Sequence, residues 1–236
     1  MTSKRVENDR FLHLLNCEVI IEAERRCLPN VNLEDAIVVE LGSAGGATKS
    51  IRPHWIVSDI RSSTNIDVQF SATKIPFRSE SVDLLFAQDV LHHIDDLELF
   101  ASEVYRVLKP GCSAYFKEPY WGFIAQFVFR FLHPEMFSIR RLRPVSSFAD
   151  AMDGNQALAY DLLRKKKSGI SEIFSSFQFF EYGPKSGLAF ALSGGATFTT
   201  GVSRDWLIKV HKIEVGTLGW LKIFGFSYSF SIKKTD

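Results

Sequence analysis

The sequence predicts an α/β fold built on parallel strands, and three observations carry that expectation. Two buried apolar runs, beginning at Ile37 and at Trp55, are separated by a glycine-rich turn and a short helical stretch. That spacing makes a βαβ unit, which implies parallel pairing, a right-handed crossover and both strand ends on one edge. A further run, 82–87, leads into an amphipathic helical pattern and then into another strand at 113–117, so the alternation continues.

Before the first strand, Phe11, Leu12, Leu15 and Val19 recur at helical spacing, with Glu18, Glu22, Glu24, Arg25 and Arg26 on other faces. An amphipathic helix is therefore expected there, ended by Pro29 and Asn30. Val38-Val39-Glu40-Leu41 then drops into Gly42-Ser43-Ala44-Gly45-Gly46-Ala47, a sharp strand-to-helix turn with bare backbone. Glycines there permit positive φ and close approach of a ligand, and a following helix offers unpaired N–H groups to negative charge. That helix should stop near Pro53, and the second strand, Trp55 to Asp59, ends in a carboxylate. A short strand near Ile66 to Gln69 and a loop holding Ile75-Pro76-Phe77 precede the run 82–87.

Asp95 with Glu98 three residues on reads as a capping box, and Leu97, Phe100, Ala101, Val104, Val107 and Leu108 form one apolar stripe. Lys109-Pro110-Gly111 stops that helix, and the next strand ends at Glu118-Pro119. Residues 121–143 leave the rhythm, being aromatic and then basic through Arg140, Arg141 and Arg143. A helix is expected over 155–167, a late strand over 177–182 and a Gly-, Ser- and Thr-rich loop over 183–200. A helix over 204–215 and an alternating closing strand over 221–232 complete the chain.

With 236 residues, 46% of them hydrophobic, the chain is long enough to bury a full core as a single domain. A formal charge of +1, with basic residues in short clusters, provides no broad field for nucleic acid. Cys17, Cys27 and Cys112 are odd in number and lack metal-ligand spacing, which fits reduced thiols in a cytoplasm-like compartment and no metal site. Charged residues precede any apolar run at the N-terminus, so neither a signal peptide nor a transit sequence is expected. The stretch from Trp121 to Leu132 is too short to span a bilayer, which needs about 20 apolar residues.

The chemistry lies at the strand ends. Asp59 stands about 20 residues after the acidic end of the first strand, where a carboxylate can accept both hydrogen bonds of a ribose diol. A dinucleotide site wants G-x-G-x-x-G; counted from Gly42, Ala44 and Ala47 occupy the second and third glycine positions, which suits a pyrophosphate poorly. Glu40 points the same way, since a carboxylate beside the turn repels phosphate and suits a ligand carrying an ammonium group. An alanine at 44 fits the turn if its φ is negative.

Val38 to Gly46, Asp59, Ile75-Pro76-Phe77, Val90-Leu91-His92-His93-Ile94, Arg106-Val107-Leu108-Lys109-Pro110-Gly111 and Glu118-Pro119 resemble, in order and spacing, the class I S-adenosylmethionine-dependent methyltransferases. The nearest likeness is to the type 11 or ubiquinone-biosynthesis-like branch, and it covers residues 35–119. The resemblance implies a Rossmann-like, doubly wound seven-stranded sheet of order 3-2-1-4-5-7-6 with the last strand antiparallel and insertions after strands 5 and 6. The single domain 1–236 then divides into an N-terminal helical segment (1–34), a cofactor-binding part (35–119) and acceptor-side insertions at 120–170 and 183–217.

The implied cofactor is S-adenosylmethionine. Glu40, Gly42, Ser43, Ala44, Gly45 and Gly46 would line its methionine and ribose part, Asp59 would take the ribose hydroxyls, and Ile60 would pack on adenine. Ser71 stands where the family often has an acid for the adenine amino group and offers a neutral, weaker bond, while the Ala72 N–H would read the ring. Gln88, Asp89 and Val90 would close the pocket beside the sulfonium.

Methyl transfer from a sulfonium is an in-line displacement in which positioning supplies much of the catalysis. A hydroxyl acceptor would need a base; His93 is the first candidate, with Glu118 and His133 as alternatives. The expected reaction is transfer to a small or lipid-linked acceptor, a sugar hydroxyl or a quinone-like ring, by a cytoplasmic protein with no nucleic-acid partner. Its rival is a non-catalytic module that keeps the fold and has lost turnover, and a dehydrogenase comes third. Residues 121–143 are expected to help cover the acceptor site; their alternative is peripheral contact with an anionic membrane at the inner face.

Overall fold

The computed structural model describes residues 8–120, 122, 125–127, 170–195, 200–218 and 225–235. The expected helix over 155–167, His133, the three arginines at 140, 141 and 143, and nearly all of the aromatic segment lie outside them.

Helix α1 (Arg10–Cys27) starts where Asp9 Oδ1 accepts the Phe11 and Leu12 N–H groups at 3.0 and 3.3 Å, and ends ahead of Pro29. Strand β1 (Val38–Leu41) runs into the glycine-rich turn, and only a single 3-10 turn, Ala47–Ser50, follows where a helix was expected. The stretch between left-handed Gly46 and Pro53 is too short to repay the nucleation of an α-helix. Strands β2 (Ile56–Asp59), β3 (Val68–Gln69) and β4 (Val82–Gln88) come next.

Helix α2 (Leu97–Val107) is capped by Asp96, whose Oδ1 accepts from Leu99 N at 2.8 Å. The expected capping box is thus displaced by one residue: Asp95 Oδ1 instead accepts the Asp96 N–H at 2.9 Å, and Glu98 is the second helical residue rather than the third. Strand β5 (Leu108–Pro119) is followed, after the segment outside the described residues, by the short helix α3 (Ile170–Ile173) and strand β6 (Phe177–Ser186). The stretch expected as a loop over 183–200 holds the end of β6 and helix α4 (Leu188–Leu192). Gly183, at φ +78°, sits at a register shift, and Pro184 lies on an edge strand, where a missing N–H is tolerated. Helix α5 (Arg204–Ile213), a π-helical turn (Glu214–Leu218) and strand β7 (Gly225–Lys234) complete the fold.

The sheet has seven strands in the order β3-β2-β1-β4-β5-β7-β6, parallel from β3 to β5, with β7 antiparallel to both neighbours. Alternation within the central strands splits the core in two. Val38, Leu84, Phe86 and Tyr115 pack with Ile20 and Ala23 of α1, while Val39, Leu41, Leu85, Ala87 and Phe116 pack with Phe100 and Val104 of α2. Each fully buried Phe, Ile or Leu in these layers contributes about 1.5–3 kcal/mol of transfer free energy. A third cluster joins Phe11 and Leu12 of α1, Ala189 of α4 and Leu207 of α5 to Ala47, directly after the glycine-rich turn. Glu24, buried on α1, reaches the same region through a two-pronged bond to Arg52, at 2.5 and 2.7 Å.

Candidate functional site

Because β1, β2, β4 and β5 are parallel, Leu41, Asp59, Gln88 and Pro119 end on one edge of the sheet, and the glycine-rich turn opens beside them. Four of the five residues from Gly42 to Gly46 have positive φ: Gly42 at +64°, Ala44 at +52°, Gly45 at +117° and Gly46 at +81°. Ala44 therefore does not meet the condition of a negative φ under which its methyl group leaves the turn unobstructed. Its N–H donates to Asp59 Oδ2 at 2.8 Å, and this bond, together with Ser43 N–H to Ser58 O at 2.9 Å, holds the turn against β2. Asp59 has a second duty, since its Oδ1 accepts the Arg61 N–H at 2.9 Å and lies 3.5 Å from Arg61 Nε. Oδ2, with the Ala44 N–H as its one donor, keeps a further lone pair for a ligand hydroxyl.

Two of the glycines are required by protein packing. A Cβ on Gly42 would lie 2.6 Å from Val90 Cγ2, and one on Gly46 would strike the backbone carbonyl of Asn65.

Glu40 is 5% exposed and is the last residue but one of β1. Its Oε1 accepts from Thr48 Oγ1 at 2.9 Å, while its Oε2 is buried without a partner. Burial pushes the carboxyl up to about 7; the Thr48 bond opposes the rise and the neighbouring Asp59 charge adds to it. Ser43 Oγ and Gln88 Oε1 are likewise buried with no partner. Three orphaned polar atoms thus gather at the ends of adjacent strands β1 and β4, where a ligand's hydrogen-bonding groups would satisfy them.

On the far side of the turn, Ile60 is 52% exposed, an apolar side chain open to a flat ring. Ser71 Oγ shares a hydrogen bond with Thr73 Oγ1 at 2.8 Å and also accepts the Thr73 N–H at 3.3 Å, and Ala72 beside it is half-buried. Beyond β4, Asp89 is left-handed at φ +56°, and its N–H donates to Lys117 O at 2.7 Å. Of the candidate bases among the described residues, Glu118 is wholly buried against the Val90 and Leu91 N–H groups and His92 Nδ1, whereas His93 is half-buried with its ring 4.2 Å from that of His92.

Thr48, Arg61 and Lys117 touch this constellation without having been singled out from sequence, and His92, read only as part of the motif from Val90 to Ile94, does so through Glu118. Arg61 meets Asp59 from two residues away, whereas Lys117 meets Asp89 from 28 residues away, a contact that no local pattern encodes. Among the described residues no group of three or more His, Cys, Asp or Glu is placed to hold a metal ion, and no helix is long and apolar enough to cross a membrane.

Residues 54–116 match the family model described as a methyltransferase domain. The fold is the class I methyltransferase fold. The orphaned atoms of Glu40, Ser43 and Gln88 fit a ligand with an ammonium group and hydroxyls, as S-adenosylmethionine has.

Solved structures share that fold. The complex of the Haloferax volcanii Trm112 methyltransferase activator with a methyltransferase is 16% identical at a TM-score of 0.54, covering 99% of this chain and 94% of that one. The YcgJ protein of Bacillus subtilis is 17% identical at 0.50, over 95% and 100%. Geranyl diphosphate C-methyltransferase of Streptomyces coelicolor, in complex with S-adenosyl-L-homocysteine, is 11% identical at 0.51, over 95% and 81%. No curated protein matches the chain.

Proposed function

We propose that the chain binds S-adenosylmethionine along the ends of β1, β2 and β4 and transfers its methyl group to a small or lipid-linked acceptor, a sugar hydroxyl or a quinone-like ring. The observation that carries this reading is the trio of buried, partnerless polar atoms, Glu40 Oε2, Ser43 Oγ and Gln88 Oε1.

In this reading Glu40 takes the ligand's ammonium, and Gly42, Ser43, Ala44, Gly45 and Gly46 line the methionine and ribose part. Asp59 accepts from a ribose hydroxyl with the lone pair that its bond to Ala44 leaves open on Oδ2. Ile60 covers one face of adenine, Ser71 and the Ala72 N–H meet its edge, and Gln88, Asp89 and Val90 wall the reacting end. When bound, the cofactor supplies a methyl group already activated on a sulfonium. The residues contribute orientation and exclusion of water. With a hydroxyl acceptor, His93 takes the proton that leaves.

A second reading, a binding module without turnover, is favoured by one observation: Asp59 already has both oxygens engaged by the turn and by Arg61. Calorimetry with S-adenosylmethionine and S-adenosylhomocysteine, followed by a labelled-methyl assay over sugar, quinol and polyprenyl acceptors, separates the two. Binding with transfer supports the enzyme, binding without transfer to any acceptor supports the module, and no binding at millimolar concentration removes both.

A further inference from the structure

Glu118 is 0% exposed, and three hydrogen bonds converge on its carboxylate. Oε1 accepts the Val90 N–H at 2.9 Å and the Leu91 N–H at 2.7 Å, and Oε2 lies 2.6 Å from His92 Nδ1. A carboxylate so enclosed and so fully engaged is badly placed to take a proton from an acceptor, which must come within hydrogen-bond reach. What it fixes is the chain leaving β4. Asp89, the residue before Val90, is bound from the same strand, through Lys117 O at 2.7 Å and Lys117 Nζ at 3.2 Å. Consecutive residues of β5 therefore fasten residues 89–92 by backbone and side chain together.

The consequence reaches the glycine-rich turn. The Val90 methyl carbons are the atoms a Cβ on Gly42 would meet, at 2.6 and 3.2 Å, so Val90 lies directly on the first glycine of the turn. We infer that Glu118 is a positioning residue of the donor site: by accepting the Val90 and Leu91 N–H groups it holds Val90 against Gly42 and sets the spacing between the β1 turn and the β4 loop. In location this rests on the donor site proposed above. Its mechanical part, that the carboxylate holds the loop, stands on the hydrogen bonds alone.

The test combines amide hydrogen exchange without cofactor and calorimetry with S-adenosylhomocysteine, on the full chain. In the wild type the Val90 and Leu91 amides exchange slowly. Glu118→Ala opens both and weakens S-adenosylhomocysteine binding roughly tenfold or more, because two buried donors lose their acceptor. Glu118→Gln, whose Oε1 still accepts both amides, keeps them slow and weakens binding by less than about threefold. Where the alanine variant does not fold, Glu118→Asp, with its carboxylate one methylene short, raises exchange and weakens binding in the same order. Equal loss of turnover in the glutamine and alanine variants, with exchange and affinity unchanged, would overturn the inference and make Glu118 a proton carrier. A wild-type chain that binds no S-adenosylhomocysteine would bring down the donor-site reading, while the exchange rates would still decide whether Glu118 holds the loop.

Discussion

Thr48 Oγ1 donates to Glu40 Oε1 at 2.9 Å, and the other oxygen of the same buried carboxyl has no partner. One bond does not offset the desolvation of a full charge, so burial pushes the carboxyl up to about 7. An unfolded glutamate titrates near 4.3, and between these values the folded chain keeps a proton that the unfolded chain has lost. The stability this group contributes is therefore complete below about pH 4.3 and is lost as the pH rises through about 7. Urea unfolding across that window should show the wild type losing stability relative to Glu40→Gln, which stays neutral throughout. Parallel curves for the two proteins would show that the carboxyl is not raised.

A cation bound beside Glu40 reverses the preference, since an opposite charge favours the ionised form. Binding of a ligand with an ammonium group near pH 6 should then release a proton, and the release should fade as the pH passes about 7, where the free carboxyl is already ionised. Calorimetry with S-adenosylhomocysteine in buffers of different ionisation enthalpy counts that proton directly. Glu40→Gln should abolish the release and weaken binding by roughly tenfold or more, in keeping with a lost charge-assisted bond.

The parallel half of the sheet was legible because strands covered on both faces read as continuous apolar runs, as Leu84 to Ala87 does, and because a carboxylate at the end of such a run, like Asp59, is conspicuous. The antiparallel end was less so. Strand β6 passes through Gly183 and Pro184, residues that ordinarily punctuate a strand, and only the edge position and the shift of register between Glu181 and Gly183 let it continue. Helix α4 depends on Glu214, whose carboxylate accepts the Leu188 and Ala189 N–H groups at 2.8 and 3.1 Å from across the fold. At the site, residue types were readable and their second partners were not. Alanine ordinarily avoids the left-handed region, and Ala44 fits the turn at positive φ because Asp59, fifteen residues away, holds it there. Glu118 reads from sequence as an alternative base by its place at a strand end, and the three groups that enclose it come from the neighbouring loop.

The two packed glycines of the turn differ in what blocks them, and that difference is measurable. At Gly42 an added methyl meets the Val90 side chain, which can be shortened; at Gly46 it meets the Asn65 backbone carbonyl, which cannot. Both positions also carry the cost of a left-handed alanine, so each single variant should lose about 1–3 kcal/mol in urea unfolding. Combining Gly42→Ala with Val90→Ala should cost less than the sum of the two, with a coupling of about 0.5–2 kcal/mol, because the second change removes the obstruction created by the first. Gly46→Ala with Asn65→Gly should show no such relief, since the carbonyl oxygen stays where it was. Additive costs at Gly42 and Val90 would mean that their contact does not shape the turn, and the link from the β4 loop to the glycine-rich backbone would be lost with it.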